Sequence, residues 1–226
     1  MRVEFGVIDH LDRQDRPIHA TFDDRLELMT LYDRAGFSTF HLTEHHFTPL
    51  GLAPSPLVFL AAASRVTERI RLAPLVLILS LYEPLRLAGE ICMLDQLSKG
   101  RLDIGVGRGI SPYELSYLNV NALETPAIFR EAYEVLLMAL TRESVDYRGT
   151  YFKYFNVPME LQPHQPRIRR CGTPPAIPPV RHGRRGRTAT LPSCCRRNAR
   201  GSSLTSTNPR GRRRTALRGG RRRRSA

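Results

Sequence analysis

The sequence predicts an α/β protein built on a parallel sheet, and three observations carry that prediction. Four short β-rich segments recur along the chain, helix-like stretches stand between them, and each strand with its helix takes about 30 residues. The strands also read as apolar runs, as strands do when crossover helices cover both faces of the sheet. Periodicity leaves a doubly wound sheet and a (β/α)8 barrel both open. A barrel needs about 250 residues and eight units, whereas 226 residues hold four.

Each element has a local reason. The first strand is expected over residues 3–8. Asp23 and Asp24 then open an amphipathic run through Leu26, Leu28, Met29, Leu31, Tyr32 and Ala35, which Gly36 stops in the left-handed conformation. The second strand falls at 38–43. A helix over 56–66 follows, with Pro56 in its first turn and an almost wholly apolar surface. The third strand spans 70–79, and its helix runs from Pro84 through Leu87, Ala88, Ile91, Cys92, Leu94 and Leu97 to a terminal Gly100. The fourth strand, 101–106, precedes a helix over 125–140 with Ile128, Phe129, Ala132, Tyr133, Leu136, Leu137 and Leu140 on one stripe. Residues 147–152 resemble a short hairpin, and the pattern ends at Gln165-Pro166.

Charge divides the chain at the same place. The net +14 suggests a nucleic-acid or membrane-surface partner when taken as an average. Residues 1–166, however, hold all 21 acidic side chains and 16 basic ones, a net −5. Residues 167–226 hold 19 arginines with no lysine, acid or aromatic residue. The first segment has the composition of a globular domain, 1–166; the second, 167–226, reads as a disordered basic tail without the means to build a core.

Cys92 sits within an apolar helical pattern, as a buried free thiol does. Cys171, Cys194 and Cys195 fall in the tail and make no zinc or disulfide spacing. No secretory signal precedes the first strand, and the longest mainly apolar run, 72–82, is about half of what a spanning helix needs. A cytoplasmic protein without membrane contact is expected.

In parallel α/β folds the ligand meets the C-terminal ends of the strands. Two segments lie there. His41-Leu42-Thr43-Glu44-His45-His46-Phe47 brings three imidazoles and a carboxylate together on a strand and its exit loop. That setting suits general acid/base work by His45 or His46, with Glu44 orienting the ring, better than it suits a metal, for which no site is expected. Gly105-Val106-Gly107-Arg108-Gly109 lacks the spacing of a dinucleotide fingerprint, but its glycines admit a flat or anionic ligand to the backbone and Arg108 can pair with a phosphate. Loop histidines without chemistry and a tight turn with a surface arginine are the plain alternatives.

These segments, with Phe47-Thr48-Pro49-Leu50-Gly51, Ile70-Arg71-Leu72-Ala73-Pro74-Leu75-Val76, Pro84-Leu85-Arg86 and Met93-Leu94-Asp95-Gln96-Leu97-Ser98-Lys99-Gly100-Arg101, resemble the luciferase-like flavin-dependent monooxygenases. The resemblance covers roughly residues 1–166. It implies the first four βα units of a TIM barrel. It further implies reduced FMN from a separate flavin reductase, with a deazaflavin, F420, as the other cofactor, and oxidation of a small organic substrate by O2. His45 matches the histidine beside the flavin ring, and His46 its helper. Arg108 matches the flavin-phosphate contact, and Gly107 stands where luciferase has a reactive cysteine. Leu75-Val76 matches a strand bulge, often a non-prolyl cis peptide, that supports the ring. Intact relatives are expected to be dimers.

The family's later strands do not follow Pro166. A coding sequence compatible with Pro166 to Thr173 yields, two bases on, Ala-His-Pro-Pro-Leu-Trp-Tyr, close to the family's Pro-His-Pro-Pro-Leu-Trp-Tyr-Gly. A truncated, frameshifted monooxygenase with impaired activity is therefore expected. A reading from a different class takes the chain as a non-catalytic half-barrel whose arginines hold nucleic acid or other polyanions nonspecifically.

Overall fold

The computed structural model describes residues 4–166 and 168–170. The expectations for Cys171, Cys194, Cys195 and most of the tail lie outside them. Three parallel strands, β1 (Gly6–Asp9), β2 (Thr39–Leu42) and β3 (Arg71–Pro74), pair in chain order, with Val7 opposite Phe40 and Phe40 opposite Leu72. Leu72 bridges in parallel to Leu102. The third strand continues as β4 (Leu77–Ile78) and the fourth is split into β5 (Asp103–Ile104) and β6 (Val106–Gly107), β4 pairing with β6. The arc is parallel throughout and, within the described residues, does not close.

Helices α1 (Ile18–Ala35), α2 (Pro56–Val66), α3 (Pro84–Leu97) and α5 (Thr125–Ala139) cover one face of the arc, with the short α4 (Pro112–Tyr117) after β6. Alternation along the strands divides the two faces. Phe40, Leu42 and Leu72 point outward into a buried core with Met29, Phe59, Leu60, Leu87, Ile91 and Leu136. On the inner face of β1, Ile8 is exposed, as is Phe5 just before it.

Helix α2 has the predicted bounds, because Pro56 is favourable at a first helical position and cannot continue a helix from before it. Gly36 ends α1 at φ +84°, its N–H reaching the Asp33 carbonyl. Other boundaries differ. Helix α1 begins at Ile18, ahead of Asp23 and Asp24, directly after Pro17, whose fixed φ delivers the chain into the first turn. After α3 the turn holds both Lys99 and Gly100 at positive φ. The hairpin is longer than expected, β7 (Ser144–Arg148) against β8 (Lys153–Pro158).

The ordered pattern also passes Pro166. Gln165 donates its backbone and side-chain N–H groups to the two carboxylate oxygens of buried Asp95, each at 2.8 Å, and its amide also reaches the Leu102 carbonyl. This clamp delivers β9 (Arg169–Arg170) to β5 in parallel register. Backbone pairing needs no apolar side chain, which is why an arginine dipeptide gave no strand signal.

Candidate active site

The β2 exit loop carries Thr43, Glu44, His45 and His46, and the segment after β6 carries Arg108 to Ser111 and then α4. Both lie at the C-terminal ends of parallel strands. They are joined by Glu114, a buried carboxylate whose Oε1 lies 3.2 Å from His45 Nδ1 and accepts the His46 backbone N–H at 2.9 Å. A carboxylate only accepts, so His45 carries its proton on Nδ1 and leaves Nε2 available. The His10 ring stacks on His45 at 5.8 Å between centroids, and Thr43 Oγ1 holds His10 Nδ1 at 3.0 Å. His45 also lines a largely apolar cavity of about 490 Å³ with Phe22, Phe47, Pro49 and Leu52.

Sequence reasoning left Glu44 to orient either His45 or His46, and in the structure it meets His46. Glu44 Oε1 lies 2.8 Å from His46 Nε2, while Oε2 accepts the Ile78 backbone N–H at 3.1 Å and the Tyr82 hydroxyl at 3.0 Å. Residues i and i+1 on an extended exit loop face opposite ways, whereas Glu44 and His46 share a side. Burial, reinforced by the neighbouring Glu44 charge, pushes the Tyr82 phenol well above its ordinary range.

Glu114, Tyr82 and His10 were not singled out from the sequence. Ser111-Pro112-Tyr113-Glu114 has the spacing of a capping box, and Ser111 Oγ does accept the Glu114 backbone N–H at 3.4 Å. The Glu114 side chain, however, goes to the histidines. No local signal points across the 69 positions that separate it from His45.

The peptide between Leu75 and Val76 is cis, and it sits between β3 and β4. A Cβ on Gly107 would stand 2.5 Å from Val76 Cγ2, so Val76 occupies the space that a side chain at 107 would need. Gly109 has φ +82° and faces Ile78 Cγ2 at 2.7 Å from a virtual Cβ, so glycine is required there twice over. Ser80 Oγ donates to the Arg108 carbonyl and fixes this turn. The Arg108 side chain is exposed and has no hydrogen-bond or ion-pair partner among the described residues. In the same residues there is no cluster of three His, Cys, Asp or Glu side chains fit for a metal, and no helix long and apolar enough to cross a membrane.

The parallel βα arc carries an imidazole–carboxylate pair at the C-terminal ends of its strands, where parallel α/β folds meet their ligands. The chain belongs to the luciferase-like monooxygenases, whose profile matches residues 3–191 and so runs past Pro166. The protein y4wF of Sinorhizobium fredii is 44% identical over 164 residues, which make up 73% of this chain and 48% of that protein. Monooxygenase RslO1 from Streptomyces bottropensis has a TM-score of 0.71 at 32% identity, over 74% of this chain and 52% of its own. The oxygenating constituent of 3,6-diketocamphane monooxygenase from Pseudomonas putida, solved in complex with FMN, has a TM-score of 0.65 at 27% identity, over 71% and 45%. The chain thus spans about half the length of these relatives.

Proposed function

We propose that residues 1–166 are the functional part of the chain and form one side of a flavin site that oxidises a small organic substrate with reduced FMN and O2. The observation that carries this reading is His45 in the wall of the cavity, its Nδ1 held by buried Glu114 and its Nε2 left free for acid/base work. His46 is its helper. Leu75, Val76 and Gly107 lie along the flavin ring, and Arg108, an exposed cation without a partner among the described residues, takes the phosphate. The close backbone at Gly107 and the free cation suit FMN, while the apolar cavity beside His45 is lined by neither. When bound and reduced, FMN supplies the electrons for oxygen activation, and the protein shields the reaction and moves protons at His45. The "oxygenating constituent" in the name of the diketocamphane relative supports a separate flavin reductase as partner. A dimer of the intact protein and a cytoplasmic setting complete the reading. Family membership lends no support to a polyanion-binding half-barrel.

The chain spans about half of its relatives, so we propose that it holds flavin weakly. Parallel fluorescence titrations with FMN, riboflavin and F420 test both statements. Saturable binding with Kd above about 1 µM is expected, with FMN preferred to riboflavin, and R108A should reduce that preference about tenfold, the worth of one charge-assisted pair. A stoichiometric yellow chromophore after purification would contradict weak binding. Equal affinity for FMN and riboflavin would remove the phosphate role of Arg108, and tighter binding of F420 would replace FMN as cofactor. Sequencing the gene tests the frameshift: no alternative frame beyond codon 166 encoding strand–helix units would end it.

A further inference from the structure

Glu44 has no exposed side-chain surface, and both of its oxygens are occupied, Oε1 by His46 Nε2 and Oε2 by the Ile78 backbone N–H and the Tyr82 hydroxyl. We propose that Glu44 fixes His46 as the tautomer protonated on Nε2 and is thereby the positioning residue that decides which nitrogen His46 offers to a bound ligand. Its bearing on catalysis rests on the flavin reading above; the tautomer does not.

Donors and acceptors decide the tautomer. The carboxylate can only accept, the Ile78 N–H can only donate, and the two are 3.1 Å apart. Nothing is left on Glu44 to donate to His46, so the ring must place a proton on Nε2. His46 Nδ1 has no partner among the described residues, and in the neutral ring the lone pair is on that nitrogen. His45, bound through Nδ1 to Glu114, presents Nε2 instead. The neighbouring imidazoles thus offer opposite nitrogens. Because Ile78 begins two residues after the cis peptide partner Val76, the same carboxylate ties His46 to the strand segment proposed to support the flavin ring.

Two-bond nitrogen–proton NMR correlation of the histidine rings tests this, at about pH 8.5, where ordinary imidazoles are neutral, with H46Q identifying the signal. The wild-type chain should show His46 protonated on Nε2. In E44Q the tautomer should reverse. The glutamine oxygen must accept from the Ile78 N–H, which cannot change its role, so the amide NH2 turns to His46 and can only donate, moving the ring proton to Nδ1. Y82F should leave the tautomer as it is. Nδ1 protonation in the wild type overturns the proposal, as does a folded E44Q that keeps its proton on Nε2. If E44Q does not fold, the wild-type and Y82F spectra still decide. Failure of FMN to bind would remove the flavin reading without touching this result.

Discussion

Gly107 and Val76 form a matched pair, because a Cβ at 107 would fall 2.5 Å from Val76 Cγ2. G107A should therefore destabilise the chain by about 1–3 kcal/mol, the usual cost of overpacking. Adding V76A should restore most of the loss in urea unfolding, and a G107A as stable as the wild type would refute the packing account. Cys92 gives a second residue-scale expectation. Burial, with the nearby Asp95 charge, pushes its thiol from an ordinary value of about 9 up to about 11. Its contribution to stability is whole below pH 9 and is lost as pH rises through 11, amounting to about 3 kcal/mol, and C92A should flatten that part of the profile. At this scale the sequence displayed its dense motifs: His45, His46 and Arg108 stood out because unlike chemistry was crowded at strand ends. Glu114 did not, since its spacing from Ser111 already had a local explanation and its real partners lie far away in the chain.

Between elements, two side chains organise the α2–β3 connection. The Asp33 carboxylate accepts the backbone N–H groups of Glu68, Arg69 and Ile70, at 3.0, 2.9 and 2.6 Å. Arg101 donates to the carbonyls of Ser64, Thr67, Ile70 and Ser98 and so closes the C-terminal end of α2. Burial alone would raise the Asp33 carboxyl; the three N–H groups and the Arg69 charge outweigh it and hold the carboxyl below its ordinary range. Asp33 thus stabilises the fold above the ordinary carboxylate range, and that contribution disappears as pH falls through its lowered value. D33N should cost about 2 kcal/mol at neutral pH and lessen acid sensitivity. Loss of less than about 0.5 kcal/mol in D33N would show that the loop is held otherwise. Element existence was legible where apolar periodicity met a proline start or a glycine stop, as in α2 and α3. The start of α1 was not, because Pro17 acts through its own φ and no side-chain cap marks the turn. Helix α4, with six residues, is too short to show a period.

At the scale of the molecule, the +14 of the whole chain conceals an acidic segment that carries every aromatic residue and an arginine-rich one that carries none. The parallel arc was legible from its strand–helix alternation; the choice of a barrel was not, because four units fit either architecture and only the family resemblance separated them. Ile8 remains 57% exposed on the face of β1 turned away from the helices. Gln165 nevertheless holds the chain to Asp95 at the point where composition changes. Q165A should therefore cost about 1–2 kcal/mol through the lost side-chain bonds to the buried Asp95 carboxylate and the Leu102 carbonyl, the backbone bond to Asp95 remaining; an unchanged urea midpoint would mean that the side chain's part of the clamp does not contribute. The central claim is that reduced flavin seats against His45. It is tested most directly by following the ring Cε1–H signals of the seven histidines while anaerobically reduced FMN is added. The account predicts a saturable shift of His45, absent in E114A, with His19 and His164 unmoved. A His45 signal that stays in place while FMN saturates the chain would contradict it.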